Sequence, residues 1–328
     1  MIASTETEVM AMNAGTPEVV LISAGVADIP LSPVDRGVFD VGSHPLEGIS
    51  MFLGGDAANE AVILSRLGHR AALISKVGRD GAGDFVVSEL QRAGVDTGWV
   101  AREEGLDTAI NIVLVRPDGE RSFITNKNGS LRRLGLEDIR PALDTPAFEG
   151  AKVACLASLF VSPMLPPEDT GSLFRLIRAK GLTLCADTTK PKHGETVRDI
   201  ADALARLDYF FPNREEASML TGCTEPSDIA KVLLDCGVRH VALKLGGRGC
   251  LIADANGARV VPAVPGIVPV DTTGAGDTFA GGFIAGLLEG RSFEDCARLA
   301  NAAASLCVET VGATSGRWTR ADAEARMG

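Results

Sequence analysis

Towards the C-terminal end of the chain a carboxylate follows two glycines in a setting that suits phosphoryl chemistry. The stretch Val270-Asp271-Thr272-Thr273-Gly274-Ala275-Gly276-Asp277-Thr278-Phe279-Ala280-Gly281-Gly282-Phe283 comes after an extended run over 263–270. Beyond it, Phe279, Phe283 and Leu287-Leu288 recur at helical spacing. Gly274-Ala275-Gly276 therefore falls where extended chain becomes helix. The first amides of a helix lack internal partners and carry the positive end of its dipole. Glycine lets that backbone approach a ligand closely, so bare N–H groups converge on a phosphate oxygen. Asp277 stands at the mouth of this anion hole. An oxyanion site beside a carboxylate that can accept a hydroxyl proton is the minimum apparatus for moving a phosphoryl group onto an alcohol. A carboxylate at a helix N-terminus should have a depressed pKa and be a weak base. In a largely dissociative transfer that suffices, because the hydroxyl becomes acidic as it is attacked and Asp277 takes its proton late.

The chain carries its own control. Gly81-Ala82-Gly83-Asp84 repeats the four letters after the charged pair Arg79-Asp80 and opens a helix predicted over 84–93. That copy reads as a capped helix start. Only the second copy has Asp271-Thr272-Thr273 before it and Thr278-Phe279-Ala280-Gly281-Gly282 after it.

The longer string resembles the C-terminal signature of the ribokinase-like (PfkB) carbohydrate kinases. Met51-Phe52-Leu53-Gly54-Gly55-Asp56-Ala57-Ala58-Asn59-Glu60-Ala61, with Leu64 and Leu67-Gly68 after it, resembles the family's N-terminal signature. Phe211-Pro212-Asn213-Arg214-Glu215-Glu216 resembles its Asn-x-x-Glu element, and the stretch 31–59 is similar to the family's uncharacterised sugar-kinase branch. Three landmarks in the family's order are far more specific than any one of them. The resemblance implies an α/β fold: a three-layer sandwich with a central, mostly parallel sheet flanked by helices, plus a small β lid. It also implies ATP-dependent phosphorylation of a sugar hydroxyl with Mg²⁺.

Composition agrees with a soluble enzyme. Of 328 residues, 45% are hydrophobic and 23% charged, ordinary for a globular protein. A net charge of −11 argues against a general nucleic-acid or anionic-membrane surface, both of which need basic patches. The seven cysteines are scattered and never spaced Cys-x-x-Cys, so they read as reduced thiols of a cytoplasmic protein. The histidines stand singly, without metal-ligand spacing. Residues 1–18 read as a disordered tail with no apolar signal segment, and 19–328 as a single kinase domain with lid strands from about 31–53 and 107–126.

Along that domain the apolar runs set a strand–helix rhythm. Val19–Ser23 is the first buried strand, ending at Gly25-Val26-Ala27-Asp28. Open α/β sheets place ligands at strand C-termini, so Asp28 is either a substrate contact or a turn residue before Pro30. Lid strands are expected within Pro33–Ser43 and Gly48–Leu53. Gly54-Gly55 precede a helix over 57–67 on which Asn59 either caps the helix or meets a hydroxyl pair. Asp56 stands where the family has a small or basic residue, which implies an extra hydroxyl acceptor. The run from Thr108, the Pro117-Asp118-Gly119 turn and Arg121–Thr125 give a hairpin signal that completes the lid, with Asn111 facing the sugar by resemblance. An exposed hairpin edge pairs readily with a second copy, so the lid is the expected homodimer contact. Further strands and helices alternate over 153–212, including a helix over 195–207.

For the nucleotide, Glu216 in the first turn of a helix beginning at Asn213 either completes a cap or orients the water shell of Mg²⁺. By resemblance Asn213, Gly246, Gly249 and Asn301 line ATP, Lys244 takes the place of a threonine and touches a phosphate, and Lys190 stands near a family arginine. The loop 310–316 with the carbonyls of Asp271 and Thr273 would hold a monovalent cation, K⁺.

Competing chemistries fail on the letters. No Gly-Lys dipeptide exists, which excludes a P-loop, and GxGxxG fails at Gly81 and Gly274, where Val86 and Phe279 occupy the third glycine position. A nucleoside kinase of the same fold, or a non-catalytic sugar-binding descendant, is the alternative. The lid has few aromatics (Phe39, Phe52, Phe123) to sandwich a base.

Overall fold

The computed structural model describes residues 15–327. Its strands are β1 (Val19–Ile22), β2 (Val26–Leu31), β3 (Phe52–Gly54), β4 (Ala71–Gly78), β5 (Val100–Glu103), β6 (Ile110–Val115) and β7 (Arg121–Thr125), followed by β8 (Val153–Leu159), β9 (Thr183–Thr188), β10 (Tyr209–Phe210), β11 (His240–Lys244), β12 (Cys250–Asp254) and β13 (Gly257–Val261). They form a nine-stranded sheet in the order β13-β12-β11-β10-β9-β8-β1-β4-β5 and a four-stranded sheet in the order β3-β2-β6-β7.

From β11 to β5 every neighbouring pair in the large sheet is parallel, and β12 and β13 add an antiparallel edge. Parallel strands must be covered on both faces, which is why β1 reads Val-Val-Leu-Ile without alternation and is fully buried. Val19 and Leu21 face one core with the helices Asp56–Arg66, Ala275–Leu288 and Phe293–Cys307, while Val20 and Ile22 face the other with Leu136–Leu143 and Pro167–Ala179. Three layers result.

The small sheet covers one end of this body. Its β2 pairs parallel with β6 and antiparallel with β3, in a register that sets Asp28 opposite both Asn111 and Phe52. Here the prediction needs correcting. The first lid strand is Val26–Leu31, upstream of the predicted Pro33–Ser43, which instead holds a short 3₁₀ turn at Arg36–Asp40. Asp35 explains the turn, since its Oδ1 accepts from Gly37 N at 2.7 Å and a short polar side chain competes with ladder formation in this way. Asp28 thus lies on a lid strand and not at the end of a body strand.

The predicted helix over 195–207 shrinks to Ala201–Leu204. His193 and Thr196 donate their amides to the carboxylates of Glu195 and Asp199 at 2.8 and 2.7 Å, so local side chains hold the backbone in turns. Helices at Leu136–Leu143 and Pro226–Asp235, and strands β5 and β13, were not predicted. Of the tail predicted over 1–18, residues 1–14 lie outside the described residues. Glu18 is knitted into the sheet: its amide donates to the Arg70 carbonyl and its carbonyl accepts from Lys152 N, both at 2.8 Å.

Candidate active site

The helix Ala275–Leu288 begins at Gly274, whose φ of +73° only glycine adopts without strain, and no side chain caps its N-terminus. A Cβ on Gly274 would lie 2.4 Å from that of Ala313. The Ala275 amide makes a long 3.3 Å bond to the Thr272 carbonyl, so of the predicted anion hole the amides of Gly276 and Asp277 are the better placed to receive a ligand. A Cβ on Gly276 would sit 3.3 Å from Lys244 Nζ, which puts an ammonium group beside the same turn. Gly281 and Gly282 do a different job. Hypothetical Cβ atoms there would meet Ile63 at 2.9 Å and Ala300 Cα at 3.0 Å, so they let this helix pack against both neighbours and leave its first turn facing out.

Asp277 is half-buried and accepts from Asn59 Nδ2 at 2.6 Å. Burial raises its pKa, only partly offset by that hydrogen bond, by Lys244 and by its own amide. This corrects the expectation of a depressed value: loss of water outweighs the helix terminus, and Asp277 is a better base than its position in the helix implies.

Asn59 is buried in the helix Asp56–Arg66, near its start, and its Oδ1 has no partner. It does not cap that helix, which starts at Gly55 with φ +92° and no side-chain cap. Across the lid, Asn111 Nδ2 donates to Asp28 Oδ1 at 2.8 Å, and Asn111 Oδ1 is likewise buried and unpaired. Burial raises the Asp28 pKa against that hydrogen bond, and Asp277 adds to the rise. A Cβ on Gly54 would fall 2.1 Å from Asp28 Oδ2, and one on Gly55 would fall 2.4 Å from the Ala24 carbonyl, so Gly54 is required by the pairing of β3 with β2 inside the lid and Gly55 by its approach to the segment between β1 and β2. Unpaired buried acceptors are costly. Two of them beside Asp28 and Asp277 form a surface that wants hydroxyl donors.

Asp56 extends this acidic surface but is already engaged by the Ser158 hydroxyl. Burial, with the charges of Asp277 and Asp187 added, pushes its pKa well up. Lys244, at the end of β11, is paired with Asp187 of β9 at 2.5 Å, and both side chains are largely buried. Burial pushes Asp187 up to about 7 despite the lysine. It would push Lys244 down, but the carboxylates of Asp187 and Glu216 outweigh it and hold the ammonium above the usual range. Lys244 is therefore a permanent cation between the acidic cluster and the anion hole. Lys244 is singled out by the sequence, but its pairing with Asp187 across 57 residues has no local signal.

On the nucleotide side, Asn213 and Glu216 form a reciprocal capping box: Asn213 Oδ1 accepts from Glu216 N at 2.9 Å, and Glu216 Oε2 from Asn213 N at 3.3 Å. Glu216 is also half-buried, with burial raising its pKa and Lys244 opposing. Among the described residues no group of three or more His, Cys, Asp or Glu could hold a metal ion. Magnesium needs few protein ligands because it keeps its waters and leans on phosphates, so a single Glu216 carboxylate fits an outer-shell role.

Gly246 opens the turn Gly246–Arg248 with φ +61° and open space around it. Gly249, at φ +91°, is explained by packing, since a Cβ there would fall 2.1 Å from the Val261 carbonyl oxygen. Asn301 donates Nδ2 to the carbonyls of Val261 and Pro262 at 3.1 and 3.0 Å, so it pins that same segment and leaves its own carbonyl for a base. Lys190 makes an exposed pair with Glu215 at 2.7 Å; exposed pairs contribute little, and the structure does not bring it into the cluster. Asp271 and Thr273 are held by Arg121 of β7, a residue without a motif in the sequence.

The sequence matches the pfkB family carbohydrate kinase profile over residues 18–320. It is similar to a 2-dehydro-3-deoxygluconokinase of Bacillus subtilis, 30% identical over 85% of this chain and 87% of the relative. It is also similar to an uncharacterized sugar kinase of Archaeoglobus fulgidus, 32% identical over 77% of this chain and 97% of the relative. The fold matches that of an Arabidopsis thaliana ribokinase complexed with ribose and ATP, with a TM-score of 0.79 at 24% identity, covering 95% of this chain and 99% of that one. An E. coli protein complexed with ATP and Mg²⁺ matches with a TM-score of 0.80 at 24% identity, over 95% and 99% of the two chains. No helix among the described residues is long and apolar enough to cross a membrane.

Proposed function

Because this chain belongs to the pfkB family of carbohydrate kinases, we propose that it transfers the terminal phosphoryl group of ATP to a hydroxyl of a sugar held between lid and body. The observation that carries this is the pair of unpartnered buried amide oxygens, Asn59 and Asn111, set beside Asp28 and Asp277. An acceptor with several hydroxyls donates to all four groups at once. Its reacting hydroxyl lies on Asp277 and its others on Asn59, Asn111 and Asp28.

In the reaction the acceptor oxygen forms a bond to the γ-phosphorus as the bond to the bridging oxygen breaks. Asp277 takes the hydroxyl proton, and ADP leaves with the bridging electron pair. The amides of Gly276 and Asp277 and the Lys244 ammonium oppose the charge spread over the transferring group. Magnesium, when bound, neutralises phosphate charge, and Glu216 would orient its waters. Gly246 and the Asn301 carbonyl are the contacts left for the nucleotide. ATP and Mg²⁺ are supported by the ligands of the fold neighbours.

A nucleoside acceptor would call for aromatic faces, and of the lid aromatics Phe39 and Phe123 are 85% and 59% exposed, leaving only Phe52, opposite Asp28, as a ring near the site, which favours a sugar. Phe123 and the neighbouring Ile124 stand on the outer strand of the lid, where a second copy would cover them, and light scattering at working concentration tests for that dimer.

The defining experiment is ADP release with a panel of hexoses, pentoses, keto-sugars, sugar acids and nucleosides. Saturable turnover with a sugar supports the proposal. Turnover with nucleosides alone would replace the sugar, and tight binding without ADP release from any acceptor would remove catalysis.

A further inference from the structure

The sequence assigns the carbonyls of Asp271 and Thr273 to a monovalent-cation loop, and the Asp271 carboxylate beside them has both oxygens in use. Its Oδ1 accepts from the Thr273 amide at 2.8 Å, from the Thr273 hydroxyl at 2.6 Å and from Arg121 Nη2, and its Oδ2 accepts from the Gly312 amide at 2.8 Å. Arg121 Nη1 donates to Thr273 Oγ1 as well. The Thr273 and Ala313 carbonyls each lie 3.4 Å from Cys307 Sγ. An alkali ion needs several oxygens with free lone pairs. Here N–H and O–H donors take up the Asp271 carboxylate, the Cys307 thiol stands against the Thr273 and Ala313 carbonyls, and a guanidinium already supplies a full positive charge. These residues do not fit the ion.

Arg121 is well placed to take over. It is the first residue of β7, paired with Val115 just beyond the hairpin turn, so it sits at the tip of the lid. It grips a loop 150 residues away. That loop runs from Asp271 directly into Gly274 and the uncapped amides. The Arg121 and Asp271 side chains are 24% and 11% exposed, and a guanidinium fork fixes direction as well as charge. Although burial would raise the Asp271 pKa, its hydrogen bonds to Thr273 and Gly312 and the Arg121 charge hold it below the usual range, so the carboxylate stays charged for its partner.

We propose that Arg121 is a positioning residue that replaces a monovalent cation: it locks the 271–277 turn from the lid tip, so that closing the lid assembles the anion hole and turnover needs no K⁺. The proposal rests on the kinase reading. Its experiment measures ADP release by the full chain in KCl, NaCl or tetramethylammonium chloride at one ionic strength, for the wild type, Arg121→Met and Arg121→Lys. Wild-type kcat should agree within about twofold in the three salts. Arg121→Met should lose about tenfold or more in kcat in tetramethylammonium, the scale expected for a disturbed oxyanion site, and recover part of it in KCl, as the small ion enters the vacated carboxylate. Arg121→Lys, which keeps the charge and loses the fork, should fall between. A merely structural arginine would lower the melting temperature without creating salt dependence. Wild-type turnover that requires K⁺, or Arg121→Met with unchanged kcat in tetramethylammonium, would overturn the proposal. ADP release in none of the salts with any acceptor would instead defeat the kinase reading beneath it.

Discussion

The helix at Gly81 is entered through Asp80, in extended backbone, whose Oδ1 accepts from the Gly83 amide at 2.7 Å; the helix at Gly274 is entered through the glycine itself, left-handed and uncapped. Both read Gly-Ala-Gly-Asp. In the first, the Thr108 amide and hydroxyl also donate to Asp80, at 2.8 and 2.7 Å, so a protein carboxylate fills the anion hole and ties it to the lid hairpin. Burial would raise the Asp80 pKa, but these bonds hold it below the usual range. The fourth residue, Asp84, is exposed and paired with Arg102. In the second, the amides are left for a ligand, and the fourth residue, Asp277, is half-buried against Asn59 with its pKa raised by burial. What separates the two is the residue that caps the helix. In the first copy the aspartate before the motif is the cap and closes the site with the chain's own carboxylate, whereas in the second the motif's own first glycine, left-handed, is the cap and leaves the site open.

The sharpest way to break this contrast is to remove each fourth-position charge. Asp277→Asn should keep its fold and its ATP binding while losing about 10³-fold in kcat, the scale of a general base. Asp84→Asn should change kcat by less than about twofold, as expected of an exposed pair. Steady-state ADP release on both variants, with calorimetric ATP titration, decides it; equal effects would erase the distinction.

The glycines come next. Gly274→Ala must adopt φ near +73° and push its Cβ against Ala313, a strain of about 1–3 kcal/mol, and it should lower both melting temperature and turnover. Gly81→Ala meets no atom within 4 Å and should lie within about 1 kcal/mol of the wild type. Thermal melts read the difference.

The two aspartates should also part with pH. Asp277 must be unprotonated to act, and its folded pKa is raised above 3.8. kcat/KM should therefore fall with unit slope as pH drops through that raised value, and the acid limb should vanish from the residual activity of Asp277→Asn. Asp80 has its pKa lowered. Its cap is fully present above the ordinary aspartate value and is lost as pH falls through the folded one, so of these two only Asp277 should shape a pH–rate profile.

The smallest effect is Asp80→Ala. It should cost about 0.5–2 kcal/mol of stability, as an N-cap does, and leave kcat unaltered where the protein is folded. A large loss of kcat at unchanged stability would mean that the first copy also acts in catalysis.

Much of this was legible along the chain because its signals are local. The apolar run Val19–Ile22, the Asp118-Gly119 hairpin turn and the Gly274 terminus each declare themselves within a few residues. Asn59 and Asp277, 218 residues apart, were found because each sits in its own motif. What stayed hidden depends on partners distant in sequence. Arg121 reads as an ordinary strand residue until the lid brings it to Asp271. Glu60 reads as a solvated helix charge, yet it is fully buried with neither oxygen hydrogen-bonded to oxygen or nitrogen, and burial pushes its pKa well up. Asn301 and Gly249 carried a nucleotide assignment, while the structure uses both to hold the Val261–Pro262 segment. The sign of the Asp277 shift was missed for the same reason, since the helix terminus is visible in the sequence and the burial is not.

The most direct measurement is a crystal structure of the protein with ADP, a trigonal phosphoryl mimic such as aluminium fluoride, Mg²⁺ and the sugar found in the panel. The account predicts the mimic's equatorial atoms at about 2.7–3.1 Å from the Gly276 and Asp277 amides, with the in-line sugar hydroxyl on the Asp277 carboxylate. A mimic bound away from residues 274–277, or a hydroxyl oriented by some other base, would contradict it.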